Sequence, residues 1–159
     1  TRADMDEALS IMEAARLPVQ PTWLPFTPWT TLHDYIEMLA WIRERVLIAN
    51  VPAVQLSIRL LIPPGSALLA DNPPGSLGKL EPANFAYAWQ HPDPRMDELQ
   101  ARVTIIAEGS AGDAHAAFAA IERLAYSLAD RPLPAWNPAG HRRRHIRPTP
   151  PRLTEDWFC

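Results

Sequence analysis

The chain has 159 residues, 47% of them apolar, with a formal net charge of −3 and a single cysteine. That is enough for one domain with a proper core, and one cysteine excludes an internal disulfide or a multi-cysteine metal site within the chain. No apolar stretch approaches the ~20 residues of a membrane span, and Thr1-Arg2-Ala3-Asp4 lacks the basic, apolar, small-residue order of a signal peptide, so a cytoplasmic protein without membrane contact is expected. The charge is unevenly placed. Residues 131–152 hold six arginines and no acid, which leaves −9 for the rest.

In chain order, residues 4–15 have an apolar face at helical spacing (Met5, Leu9, Met12) and acids at the N-terminal end, where the helix dipole favours them. Pro18 ends this helix, and 19–24 reads as a short strand. Thr31 with Asp34 forms a capping-box pattern. It opens a helix whose stripe is Leu32, Tyr35, Ile36, Leu39, Ile42 and Val46. Residues 54–62 read as a second strand, stopped by Pro63-Pro64-Gly65. Strand, helix, strand at this spacing predicts a parallel pair with a right-handed crossover. Such a pair needs further strands and cover on both faces. Together with a start lacking methionine and an apolar Trp157-Phe158-Cys159 end, this predicts a piece of something longer.

Residues 70–91 read as a loop rich in Pro, Gly and Asn. Two helices follow, at 94–108 (Met96, Leu99, Val103, Ile106) and 111–129 (Phe118, Ile121, Leu124, Ala125, Leu128). The Gly109-Ser110 break suits an antiparallel hairpin. Residues 132–151 read as a proline-stiffened linker.

In strand 54–62 the residues Val54, Leu56, Ile58 and Leu60 alternate with Gln55, Ser57 and Arg59. Strand 19–24 sets Gln20 and Thr22 opposite Val19, Pro21 and Trp23. A polar face on a parallel strand fits solvent exposure, a satisfied network in a filled barrel, or a lumen that holds a polar ligand. Arg59 favours the ligand, because a buried guanidinium needs an anion or several acceptors. It also lies near the C-terminal strand end, where barrel active sites form.

Pro21-Thr22-Trp23-Leu24-Pro25-Phe26-Thr27-Pro28-Trp29-Thr30, then Leu32-His33-Asp34-Tyr35, resembles the late strand, loop and acidic-aromatic helix start of radical SAM barrels. Ile58-Arg59-Leu60-Leu61-Ile62-Pro63-Pro64-Gly65-Ser66 resembles their following strand and Pro-Gly-Thr turn, and residues 1–8 their preceding helix. Phe26-Thr27-Pro28-Trp29-Thr30-Thr31, the Arg59–Ser66 run and Trp157-Phe158-Cys159 are similar to the subgroup with a Cys-Cys-Ala-Glu-Pro or Cys-Sec-Ala-Glu-Pro tail. The similarity covers residues 1–69 and the last seven.

Three departures stand out. The family's CxxxCxxC cluster motif is absent. Trp29-Thr30 replaces the Gly-Glu of the loop. The tail stops at its first cysteine, as it would if the next codon were a UGA decoded as selenocysteine; a cysteine codon or an ordinary stop there would dismiss that.

The resemblance implies an α/β chain in three parts: 1–69, the end of a TIM-like radical SAM barrel; 70–130, a loop and helical hairpin; and 131–159, a Pro/Arg-rich linker and cysteine-terminated tail. It implies a 4Fe-4S cluster, with ligands outside this chain, that cleaves S-adenosylmethionine to a 5′-deoxyadenosyl radical for hydrogen abstraction from a small-molecule substrate. Cobalamin is left open. Leu61, Ile62, Phe26, Trp29 and Arg59 would contact the cofactor, while Gln20, Thr22, Gln55 and Ser57 would line the lumen. Cys159 would be the first of a redox-capable pair. The partner implied is the remainder of the parent chain, and the chain alone is not expected to be active.

The alternative is a non-catalytic α/β interaction module with a basic arm. His141-Arg142-Arg143-Arg144-His145 has the charge to attract phosphates, but the acidic body and the lack of a nucleic-acid fold signature argue against nucleic acid. His33, His91 and His115 are too scattered for a metal constellation, so no metal ligands are expected.

Overall fold

The computed structural model describes residues 1–70, 75–110, 112–135 and 148. The expectations for Cys159, for the arginine run at 142–144 and for most of the linker lie outside these residues.

Four helices and one small sheet make up a mixed α/β chain. Helix α1 (Arg2–Ala14) and helix α2 (Leu32–Glu44) are followed by short 3-10 turns at Ile48–Asn50, Ala53–Leu56 and Ala67–Leu69. Strands β1 (Ser76–Glu81) and β2 (Ala86–Gln90) form an antiparallel hairpin. Helices α3 (Pro94–Gly109) and α4 (Ala114–Leu128) complete the fold.

The helix starts follow from local chemistry. Thr31 Oγ1 accepts from the Asp34 amide (3.1 Å), and Asp34 accepts from the Thr31 amide (2.8 Å), so two orphan donors are satisfied reciprocally. Thr1 and Asp4 repeat the arrangement at α1. Asp93, with Pro94 in the first turn, caps α3, and Asp113 caps α4.

Three helix ends share one device. After α1, α2 and α4 the chain turns through Arg16, Val46 and Asp130, all at positive φ. Each passes the next amide back across the last turn: Leu17 to Met12 (2.9 Å), Leu47 to Ile42 (3.0 Å) and Arg131 to Tyr126 (3.0 Å). These are Schellman closures built without the usual glycine. Val46 therefore ends α2 in the left-handed region instead of continuing its apolar stripe.

Most of that stripe is as expected. Leu32, Tyr35, Ile36, Leu39 and Ile42 are buried in one cluster with Met96, Leu99 and Val103 of α3 and Phe118, Ile121, Leu124 and Ala125 of α4, and α4 packs on both α2 and α3. Each large side chain so buried contributes about 1.5–3 kcal/mol. The core is one cluster running from Leu9 to Tyr126. It therefore crosses the expected boundary at residue 69.

Two expectations are corrected. Residues 19–24 form no strand, and of 54–62 only a single parallel bridge remains, between Phe26 and Arg59. The amides of Gln55 and Ser57 donate to the carbonyls of Pro52 (2.9 Å) and Val54 (3.0 Å), winding 53–56 into a turn. The winding buries Leu56 and leaves Val54 exposed. The period-2 reading failed because apolar Val54 and Leu56 do not share a face in a 3-10 turn.

The region read as a loop at 70–91 contains the hairpin. Its register runs Ser76↔Gln90, Leu77↔Trp89, Leu80↔Tyr87 and Glu81↔Ala86, with an irregularity between Leu77 and Leu80. Residues 78 and 79 face the single residue 88 there, which makes a bulge. Gly75 has φ +95°, and a Cβ at that position would sit 2.1 Å from the Gln90 carbonyl oxygen, so no other residue fits. Every residue of β1 is exposed, while Ala86 and Trp89 of β2 are buried.

Candidate functional site

Segments 23–26 and 55–60 run side by side in the same direction. The Trp23 amide donates to Gln55 Oε1 (3.2 Å). The Phe26 amide donates to the Ile58 carbonyl (3.2 Å), and the Leu60 amide to the Phe26 carbonyl (2.8 Å). This is the slanted pattern of a parallel pair, reduced to its shortest form and joined by α2.

Arg59 sits at that pairing and reaches toward the hairpin. Its Nη1 donates to Asp97 Oδ1 (2.8 Å), its Nη2 to the Trp89 carbonyl (2.6 Å), and its guanidinium lies 3.6 Å over the Trp89 ring. Trp89 Nε1 donates in turn to the Leu60 carbonyl (2.8 Å). The second oxygen of Asp97 accepts the His91 amide (3.0 Å), and His91 Nδ1 accepts the Asp93 amide (2.9 Å). The second ring nitrogen of His91, Nε2, is buried without a partner among the described residues. The α3 cap, the hairpin and the parallel pair thus meet at one guanidinium.

The anionic partner that Arg59 demanded is therefore supplied by the chain itself. Asp97, Trp89 and His91 had no place in the sequence-level site. A signal for the first existed: a half-buried arginine calls for a carboxylate, and Asp97 stands in the first turn of a well-capped helix. Trp89 was visible only as an aromatic in a loop.

The other expected site residues scatter. Gln55 serves the Trp23 backbone, and the Ser57 hydroxyl donates to the Val54 carbonyl in its own turn (2.9 Å). Gln20 and Thr22 are exposed. The four do not form one polar wall with Arg59. Phe26 is buried and tilted against Tyr35 at 5.1 Å, and Ile62 is fully buried, its carbonyl accepting the Tyr87 amide (2.8 Å). Trp29 (48% exposed) and Leu61 (65% exposed) present large apolar surface to solvent.

Among the described residues no group of three or more His, Cys, Asp or Glu side chains is placed to hold a metal ion, so they offer no ligand set for an iron–sulfur cluster. Of the side chains expected at S-adenosylmethionine, only Trp29 and Leu61 are free to meet it; Phe26 and Ile62 are committed to the core and Arg59 to Asp97. The described residues do not compose a cofactor site by themselves. Among them, no helix is long and apolar enough to cross a membrane.

No family model, no curated protein and no solved structure matches this chain.

Proposed function

We propose that the chain is the C-terminal part of a radical SAM enzyme, in which segments 23–26 and 58–62 continue a parallel, TIM-like barrel completed by the rest of the parent chain. The observation that supports this is the parallel Phe26–Arg59 bridge across helix α2, in the stretch where the residues resemble the family. A single parallel bridge is a poor structure alone. It makes sense as the place where neighbouring strands extend the pairing.

In the parent enzyme the cluster and S-adenosylmethionine would supply the radical chemistry, with ligands outside this chain. This chain's residues would position and seal. Trp29 and Leu61 would lie against the cofactor, excluding water, while Arg59 and Asp97 would lock the hairpin against the barrel end. Cys159 would serve as the tail's redox residue, the substrate would be a small molecule, and the compartment the cytoplasm.

The test is direct. The reading frame upstream of Thr1 should encode CxxxCxxC, and the complete, cluster-loaded product should form 5′-deoxyadenosine from S-adenosylmethionine under a strong reductant. A complete protein without that motif, or a loaded one that forms no 5′-deoxyadenosine, contradicts the assignment. One observation favours the non-catalytic α/β module instead: Arg59 is already satisfied by Asp97 and Trp89, as a purely structural arginine would be. The same upstream sequence separates the two.

A further inference from the structure

The hairpin has one engaged edge and one open one. On the β2 side the Tyr87 amide donates to the Ile62 carbonyl (2.8 Å) and the Trp89 indole to the Leu60 carbonyl (2.8 Å), so β2 lies against segment 58–62. On the β1 side no further strand pairs among the described residues, and all six residues of β1 are exposed. The bulge gives this edge two distinct faces. Leu77 pairs with Trp89 and Leu80 with Tyr87. Residues two apart on β2 share a face, so Leu77 and Leu80 share one although they are three apart. They are 43% and 40% exposed. Lys79 and Glu81 flank Leu80 and take the other face.

An open edge is a template for another strand, and a lysine or a bulge commonly guards it. Here Lys79 and the bulge do so against most strands. A strand that sets Glu against Lys79 and Lys against Glu81 is not repelled, and an antiparallel copy of β1 is such a strand. One oxygen of Glu81 accepts from Asn84 (2.7 Å), and a carboxylate has a second to offer. Symmetry then selects the register. Hydrogen-bonded and non-hydrogen-bonded pairs alternate along an antiparallel ladder, so a two-fold axis must pass through a residue paired with its own copy. Centring on Lys79 or Glu81 sets like charges opposite each other. Centring on Gly78 sets Lys79 against Leu77, and centring on Ser76 or Leu77 leaves Leu80 and Glu81 unmatched. Centring on Leu80 sets leucine on leucine and makes two Lys79–Glu81 pairs.

We infer that β1 is a dimerisation edge: a second copy of the chain adds its own β1 antiparallel to it, with the two-fold axis at Leu80 and Lys79 of each copy facing Glu81 of the other. Backbone hydrogen bonds supply the attraction, and the charge pattern excludes other strands. The matched stretch is short, so the dimer is weak and concentration-dependent. It leaves the other edge, segment 23–26, to the strands that the radical SAM reading places there. The inference therefore does not rest on that reading.

Charge reversal tests it. Sedimentation of the full chain over a concentration series should show a monomer–dimer equilibrium. Lys79→Glu sets Glu opposite Glu, and Glu81→Lys sets Lys opposite Lys; each should raise the dimer Kd about tenfold or more. The double variant exchanges the two charges and should return the Kd to near the wild-type value. Both side chains are exposed, so the melting temperature should stay at the wild-type value in all three variants. A chain that remains monomeric up to about 1 mM overturns the inference. So does a dimer indifferent to the single reversals, or a double variant that dimerises no better than the singles; either result places the contact elsewhere, as at the edge of segment 23–26.

Discussion

Arg59 is held from three sides: by the Asp97 carboxylate, by the Trp89 carbonyl and by the Trp89 ring. Removing the carboxylate leaves a half-buried guanidinium with one acceptor fewer. Asp97→Ala should therefore destabilise the fold by about 2–3 kcal/mol, measured by urea denaturation. Arg59→Lys keeps the charge but loses the planar stacking and the two-directional fork, so we expect a loss of about 1–2 kcal/mol. A neutral result for both would mean that the guanidinium ties nothing together.

Asp6 gives the residue scale its pH dependence. It accepts from Arg45 and from Trp41 Nε1, linking α1 to α2. Hydrogen bonding to Arg45 is the leading influence, and it holds the Asp6 carboxyl below its usual 3.8. Thr31 and Arg95 do the same for Asp34 and Asp93. A carboxylate with a lower pKa in the folded than in the unfolded state contributes stability above its unfolded pKa. That contribution fades as the pH falls through the folded value. The melting temperature should therefore decline below about pH 4, and Asp6→Asn should make that acid limb shallower while lowering the plateau above it.

At the scale of elements, helix ends and one buried ion pair set the stability. Arg16 is exposed and occupies the left-handed closure of α1 at φ 55°. A side chain there costs roughly 1–2 kcal/mol, partly offset by the entropy a glycine would lose. Arg16→Gly should raise stability by about 0.5–1 kcal/mol in equilibrium unfolding; a loss would mean that Arg16 makes an unrecognised contact.

Between α2 and α4, Arg43 pairs with Glu122, which is only 2% exposed, and lies 5.6 Å from the centre of the Phe118 ring. Burial lowers the Arg43 pKa from its ordinary value. Removing one member of such a pair strands the other charge. Glu122→Leu alone should cost about 3–5 kcal/mol, and Arg43→Met with Glu122→Leu should recover most of it. A double variant no better than the single would place the cost in packing instead.

Over the whole molecule, the helices were legible and the sheet was not. Thr31 with Asp34, Pro18, Gly109-Ser110 and the stripes of α2, α3 and α4 are short-range signals, and local chemistry set the element where they predicted it. Strand pairing is decided by partners far along the chain. Residues 53–56 became a turn because that buries Leu56, and Tyr35 Oη secures the Leu56 carbonyl from below (2.8 Å). The β1–β2 hairpin was hidden by its bulge and by a β1 with no buried face. The site was half legible: Arg59 stood out as a cation needing an anion, but whether that anion was a ligand or Asp97 depended on where α3 would lie.

The exposed pair Trp29 and Leu61 belongs to this largest scale, because neither side chain serves the core of the chain described. If the parallel pair forms the end of a radical SAM barrel, these two should meet the cofactor. The decisive measurement is S-adenosylmethionine binding to the complete, cluster-loaded parent protein, wild type against Trp29→Ala and Leu61→Asp. We expect at least about tenfold weaker binding in each variant, or roughly 1.4 kcal/mol, with the melting temperature unchanged. Wild-type affinity in both variants would contradict the placement of this chain at the cofactor.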